Sequence, residues 1–306
     1  MSCGASTAVE DNARSVWAGG LPTIFKLAAT SVTSLVPPRA LIMCLPRQSL
    51  LPFVCDDLCK HFAPFTPAVG STLWFEHEGV PLRWQVPIGV LFDLLVGATT
   101  AGPGPWEITV HFQSFPPELL QAARSEAELV LVNALKESCY LLCNSAMPVM
   151  ALSKGEQENI FAAMCHKGNA HLGFCTYRTA QVQIEQAIAG VLHAAGCLRP
   201  RWVPLRIYFS PTDWRQLPMP PSLQDGSPAT MREALALNLP EELMTLILKD
   251  SSLSREVASR DDGGMDHAGP PKILVQGVNV PLETSISWLW ATCRHPDGWL
   301  YVSVVA

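Results

Sequence analysis

The chain has 306 residues, 48% of them apolar, and a net charge of −6. That length and apolar share predict about two or three globular domains with real cores. No run of five or more Lys or Arg occurs, so the electrostatic footprint of a nucleic-acid binder is missing.

The opening residues M-S-C-G-A-S-T-A-V-E-D-N lack the basic and apolar regions of a signal peptide. No apolar run approaches the ~20 residues that span a bilayer. Ten cysteines are dispersed along the chain with no N-x-S/T acceptor, which favours reduced, mostly buried thiols over a disulfide framework. A soluble protein is expected.

Residues 1–9 are small and polar and read as a disordered tail, followed by a short helix over 10–17 with Trp17 as its docking anchor. These form a leading segment, 1–19. From there a first domain over 20–122 is expected. Two β-prone segments, 21–27 and 40–45, are separated by Pro37-Pro38. Pro52 suits the first turn of a helix in which Val54, Leu58 and Phe62 recur every four residues. Short strands at 73–75 and 82–85 flank a Glu78-Gly79 turn, an apolar helix covers 87–95, and 106–112 alternates as a strand. The order ββα, ββ, short helix, β is that of a β-grasp.

A helix-rich domain is expected over 123–198. Its first helix, 125–146, starts at a Ser125/Glu128 capping box and stops before Pro148. Leu129, Val132, Leu135, Cys139, Leu142, Cys143 and Ala146 form its apolar stripe. Lys136 lies at the border of that stripe, where its stem can rest on apolar neighbours while its amine stays presented. From its place on the helix alone it reads first as an ordinary solvated lysine. A second helix is capped by Ser153 and Glu156 and ends near Gly168, and a third runs over 176–195 before Gly196.

The last region, 199–306, reads as a strand at 203–209, a Pro-rich connection over 211–228, and a helix over 230–239. A polar, flexible insertion over 250–271 follows. A strand at 273–276, a turn at Gly277, a strand near Asn279, a helix over 285–292 and a strand at 300–305 complete it. Gln276-Gly277-Val278-Asn279-Val280-Pro281-Leu282 echoes Glu78-Gly79-Val80-Pro81-Leu82, and Pro296-Asp297-Gly298-Trp299 echoes Pro103-Gly104-Pro105-Trp106. The fold class expected is α+β, with two β-grasp (ubiquitin-like) domains flanking a helical bundle.

No G-x-G-x-x-G, Walker A, G-x-S-x-G or H-E-x-x-H motif occurs. Cys55/Cys59 and Cys139/Cys143 have the i, i+4 spacing of a metal-ligating pair, but each fits an apolar stripe and reads as buried core. Cys165, with His166 and His171 nearby, is the one candidate nucleophile, although adjacent helical residues point about 100° apart and do not readily meet. Trp74, Trp84 and Trp106 cluster in one β-rich region and Trp288, Trp290 and Trp299 in the other. Trp288 and Trp290 cannot both face inward on one helix, so one of them is a candidate partner contact.

Taken together, Val16-Trp17, Leu21-Pro22-Thr23, Leu45-Pro46-Arg47, Lys60-His61-Phe62, Trp74-Phe75-Glu76, Leu91-Phe92-Asp93-Leu94-Leu95 and Trp106-Glu107-Ile108-Thr109-Val110-His111-Phe112 strongly resemble the autophagy protein 5 family. Ala134-Leu135-Lys136-Glu137, Val203-Pro204-Leu205-Arg206-Ile207-Tyr208 and Pro281-Leu282-Glu283-Thr284 continue the match. It covers most of residues 14–306 in order and thins over 148–200 and 210–271.

The resemblance implies a scaffold with no active site, cofactor or metal of its own. It implies that Lys136 takes the C-terminal glycine of the ubiquitin-like autophagy protein 12 as an isopeptide, and that the conjugate binds the N-terminal helix of autophagy protein 16. The assembly then acts like an E3, promoting transfer of autophagy protein 8 from its E2-like enzyme to phosphatidylethanolamine. A cytoplasmic protein, peripheral on the phagophore membrane, is therefore expected. A cleft where the β-grasp domains and the bundle meet, lined by Trp288 or Trp290, is the expected helix site. Two alternatives remain at this point: a helix-binding scaffold that is not conjugated, and an enzyme using Cys165. Lys154, Lys167 and Arg178 are nearly all the basic residues after Lys136 in the bundle, a departure from the family's lysine-rich pattern.

Overall fold

The computed structural model describes residues 3–66, 73–97, 104–121, 123–165, 170–197, 199–239, 244–245 and 271–305. Helix α1 (Cys3–Trp17) begins inside the stretch expected to be a tail. It is held by Trp17, whose ring stacks on Tyr177 with centroids 4.6 Å apart.

Strands β1 (Gly20–Leu27) and β2 (Leu41–Pro46) pair antiparallel, followed by helix α2 (Cys55–Phe62), β3 (Trp74–His77), β4 (Val80–Pro81), helix α3 (Ile88–Leu95) and β5 (Trp106–His111). β5 inserts parallel to β1, giving the sheet order β2-β1-β5-β3-β4. The alternation read from sequence over 106–112 is the pleat itself, with Trp106, Ile108 and Val110 pointing into the core from β5; Leu21, Thr23 and Phe25 do the same from β1. β4 is shorter and earlier than the strand expected at 82–85. Leu82 already turns into the core there, donating its N–H to Phe75 O at 2.8 Å.

The bundle comprises α4 (Arg124–Cys143), the single turn α5 (Met147–Met150), α6 (Lys154–Cys165) and α7 (Ala170–Ala194). The Ser153/Glu156 capping box forms, with Ser153 N–H to Glu156 Oε2 at 2.6 Å and Glu156 N–H to Ser153 Oγ at 3.3 Å. The Ser125/Glu128 box does not. Helix α4 starts at Arg124, which makes Ala123 the N-cap and leaves Ser125 inside the first turn, where its Oγ donates to Glu126. Glu128 instead accepts from Arg124 Nε at 3.0 Å. α4 ends on Asn144 in the left-handed region.

The second sheet repeats the first. Strands β6 (Leu205–Tyr208), β7 (Trp214–Gln216), β8 (Lys272–Val275), β9 (Val278–Asn279) and β10 (Leu300–Val305) take the order β7-β6-β10-β8-β9, again with the last strand parallel to the first. Helices α8 (Met231–Asn238) and α9 (Ile286–Cys293) cover it. The repeat extends to backbone angles, since Glu78-Gly79 (φ 48°, 82°) and Gln276-Gly277 (φ 54°, 82°) make the same left-handed hairpin turn. The chain is α+β, with two β-grasp domains flanking a bundle. β7 lies in the stretch expected to be connection, and the insertion expected over 250–271 lies, up to residue 270, outside the described residues.

The first sheet and the bundle share one continuous core, which runs from Phe25 and Ile108 through Leu131 and Ala134 to Met164. The second sheet has its own, centred on Leu205, Met231, Leu235 and Val302. β10 is buried on both faces because α3 packs against it from the first domain.

The turn before β10 joins all three parts. Trp299 Nε1–H donates to Ala134 O at 2.9 Å and Ser138 Oγ–H to Asp297 O at 2.8 Å, while His295 Nε2 lies 2.8 Å from Gln48 O. Between them Gly298 sits at φ 84°, and a Cβ there would come within 2.2 Å of Ser138 Oγ. Gly298→Ala should therefore cost about 3 kcal/mol, combining left-handed strain with a collision. Gly79→Ala, at nearly the same φ with nothing within 4 Å of the new Cβ, should cost about 1 kcal/mol. Denaturant unfolding of the two variants, side by side, measures the difference.

Candidate functional site

The rotation of α4 decides which side chains it offers. Ala127, Leu131, Ala134, Leu135, Ser138, Cys139, Leu142 and Cys143 are buried, and the bonds from Trp299 and to Asp297 pin that face. Leu129, assigned to the apolar stripe from sequence, is instead 61% exposed: the small Ala127, Ala134 and Ser138 occupy the close contacts and shift the stripe. Lys136 stands half-buried at the border of the two faces, flanked by exposed Asn133 and Tyr140.

Among the described residues Lys136 has no carboxylate at salt-bridge distance. Glu137, next in the chain, turns to the second β-grasp domain and accepts from Arg206 Nη2 at 3.2 Å. Arg206 is itself fixed, with Nε on Gln216 Oε1 and Nη1 on Tyr301 Oη, each at 3.0 Å, and its Cζ 4.2 Å from the Trp299 ring centroid. Lys154, the other lysine considered, extends from the start of α6 and lies 3.7 Å from Glu158.

The two tryptophans of α9 diverge to opposite sides of α1. Trp288, 46% exposed, lines a cleft of about 740 Å³ together with Val16, Arg47, Val275, Val278 and Leu289. Its walls come from α1 and both β-grasp domains, with no lining from α4 to α7. Trp290 is half-buried, donates its Nε1–H to Gly298 O at 2.8 Å, and carries the Arg294 guanidinium 4.3 Å from its ring centroid. It faces a second cleft of about 640 Å³ between α1 and α7, floored by Ala13, Phe174 and Ile188.

Arg47 anchors the floor of the Trp288 cleft and was not singled out from sequence. Its Nη2 meets both oxygens of Asp93 at 2.6 Å and Gly89 O at 3.1 Å. Burial pushes the Asp93 carboxyl up, against the pull of Arg47 and of the Gly277 N–H. The only advance signal was the run Leu45-Pro46-Arg47, noted as part of the resemblance.

Cys139 and Cys143 are buried with sulfurs 4.0 Å apart and both point to Ser145 O, at 3.1 and 3.3 Å. Burial, with the neighbouring Cys143, pushes the Cys139 thiol up to about 12. Cys59, expected in a buried pair with Cys55, is exposed, while Cys55 packs half-buried against the core beside the buried Leu58 and Phe62. Among the described residues no group of three or more His, Cys, Asp or Glu is placed to hold a metal. Cys165 is half-buried, and burial pushes its thiol up despite the opposing pull of Arg124, the reverse of what nucleophile activation requires. His166 and the side chain of His171 lie outside the described residues. No helix among the described residues is long and apolar enough to cross a membrane.

The different surroundings of the α9 tryptophans give them different sensitivities. Trp288→Glu should change stability by less than about 1 kcal/mol, since its ring is half in solvent. Trp290→Glu should cost more than about 2 kcal/mol, because it removes a buried hydrogen bond and the Arg294 stack. Thermal unfolding of the two variants checks the order.

Three family models match successive parts of the chain: autophagy protein ATG5, UblA domain, over residues 16–112; the alpha-helical bundle region over 125–168; and the UblB domain over 202–304. Relatives named autophagy protein 5 align almost end to end. The Arabidopsis thaliana protein is 25% identical, with 95% of this chain and 96% of the relative covered. The Oryza sativa subsp. indica protein is 27% identical (95% and 93%), and that of Aspergillus fumigatus 26% (95% and 94%). The fold matches the crystal structure of Kluyveromyces marxianus Atg5 with a TM-score of 0.68 at 20% identity, covering 96% of this chain and 99% of that one. The ordered succession of the three matched regions, the duplicated β-grasp topology and the bundle between its two copies agree: the chain belongs to the autophagy protein 5 family and has a role in autophagy.

Proposed function

We propose that this chain is a conjugation scaffold whose Lys136 accepts the C-terminal glycine of the ubiquitin-like autophagy protein 12. The observation that carries the proposal is the state of Lys136 in a member of this family: an amine without a carboxylate partner among the described residues, on a helix whose rotation is pinned from behind. The reaction is aminolysis of a thioester. Neutral Nζ attacks the glycyl carbonyl presented on the E2-like enzyme, the C–N bond forms as the C–S bond breaks, the sulfur leaves as thiolate, and the nitrogen's surplus proton passes to solvent or to that thiolate. An ammonium has no lone pair to attack with, so the amine reacts only in its neutral form.

In the same proposal the Trp288 cleft takes the N-terminal helix of autophagy protein 16. It is mostly apolar-walled and, among the described residues, carries a single charged lining residue, Arg47, properties that suit an amphipathic helix. Trp290 lines the other cleft and not this one, so it does not contact the helix. The complex promotes transfer of autophagy protein 8 to phosphatidylethanolamine and associates peripherally with the phagophore membrane. No catalytic residue of this chain enters the scheme, and the raised Cys165 thiol speaks against the cysteine-enzyme reading.

Lys136→Arg keeps the charge and most of the stem but removes an amine that can be deprotonated. After co-expression with the conjugation machinery, intact-mass measurement should show one added ubiquitin-like protein on the parent and none on this variant. The variant's stability should stay within about 0.5 kcal/mol, and pull-down of the protein 16 helix should be unchanged. An undiminished adduct would move the acceptor to another lysine, Lys154 first, and sink the assignment. A parent that binds the helix yet never gains the adduct would establish the unconjugated scaffold instead.

A further inference from the structure

We infer that the exposed ridge of α4 around Lys136 is the surface by which the thioester-bearing enzyme recognises this chain, with Tyr140 and Leu129 as its contacts. The inference rests on the proposal that Lys136 is the acceptor.

Leu129, Asn133, Lys136 and Tyr140 follow one another at spacings of four, three and four residues, which aligns them on one helical ridge. Tyr140 therefore lies about 6 Å along the axis from Lys136 and Leu129 about 10.5 Å on the other side. Both are large and face water, at 54% and 61% exposed. The opposite face cannot turn toward solvent in their place, because Ala134 and Ser138 are bonded to the turn that carries Trp299.

The charge pattern points the same way. Glu137, the acid nearest in sequence, is drawn off the ridge by Arg206, so Lys136 is the one cationic side chain among the four, with an apolar residue and an aromatic one on the same ridge. A thioester carbonyl must come within about 3–3.5 Å of Nζ to react. A protein surface that presents it must then cover the side chains one to two turns away on the same ridge, Tyr140 on one side and Leu129 on the other. A tyrosine in that position, with its rotamer-poor ring and wet hydroxyl, is the kind of side chain that anchors protein contacts. The occupant is thus an enzyme surface with an apolar rim beside its reactive cysteine.

The test is single-turnover conjugation of the full chain by the cognate E2-like enzyme preloaded with autophagy protein 12, with the enzyme concentration varied. Tyr140→Ser and Leu129→Ser should each raise the half-saturating concentration at least fivefold while changing the saturating rate less than twofold. Tyr140→Phe should behave like the parent. Leu237→Ser, an equally exposed apolar side chain on α8, should also match it, which controls for general loss of surface hydrophobicity. Half-saturation within twofold of the parent for both ridge variants, or a loss confined to the saturating rate, would overturn the inference. Failure of the underlying reading looks different: Lys136→Arg would then be conjugated as fast as the parent.

Discussion

The structure depends on one plug-in contact, the insertion of the Pro296-Asp297-Gly298-Trp299 turn into the side of α4. An indole N–H satisfies a helix carbonyl, a helix serine satisfies a turn carbonyl, and a glycine at φ 84° allows the backbones to approach that closely. The fully buried ring supplies most of the hydrophobic stabilisation at this point. The contact sets the rotation of α4, and that rotation decides that Lys136, Asn133 and Tyr140 face outward. It also brings Arg206 of β6 within reach of Glu137.

A second clamp works between the two β-grasp domains. Arg47 and Asp93 pair in a nearly closed space, and the arginine lies so near the β8–β9 turn that a Cβ on Gly277 would be 3.0 Å from its Cζ. A buried ion pair is weak evidence for net stability, because desolvation offsets much of the attraction; losing one partner strands the other at a cost of about 3 to 5 kcal/mol. Its better-supported role is register. It fixes where the second domain sits on the first, and with it the width of the cleft between α1 and α9.

Much of the architecture was legible because it rests on local patterns. The period-two run in β5, the paired left-handed turns at Gly79 and Gly277, and the Ser153/Glu156 cap are set by side chains close in sequence. β7 was missed because it is an exposed edge strand with no buried alternation to read. The start of α4 was misplaced since Ala123 carries no capping side chain, and Leu129 was sent inward because alanine and serine did not register as core. Which of Trp288 and Trp290 is presented depends on where α1 lies, a long-range fact set by Trp17 on Tyr177. As for Lys136, periodicity gave its position and the resemblance gave its role; the diversion of Glu137 to Arg206, sixty-nine residues away, was in neither.

The continuous core shared by the first sheet and the bundle makes those two parts one cooperative folding unit, although topology divides them. Most of the second β-grasp packs round a separate core, although its Tyr208, Trp299 and Tyr301 join the first. Local unfolding follows such boundaries. A methyl group lost beside Phe25 or Ile108 therefore weakens the same unit that holds α4, whereas an equal loss beside Leu235 or Met231 first loosens the shell around the Trp288 cleft. The two candidate surfaces of this chain thus draw their rigidity from different reserves.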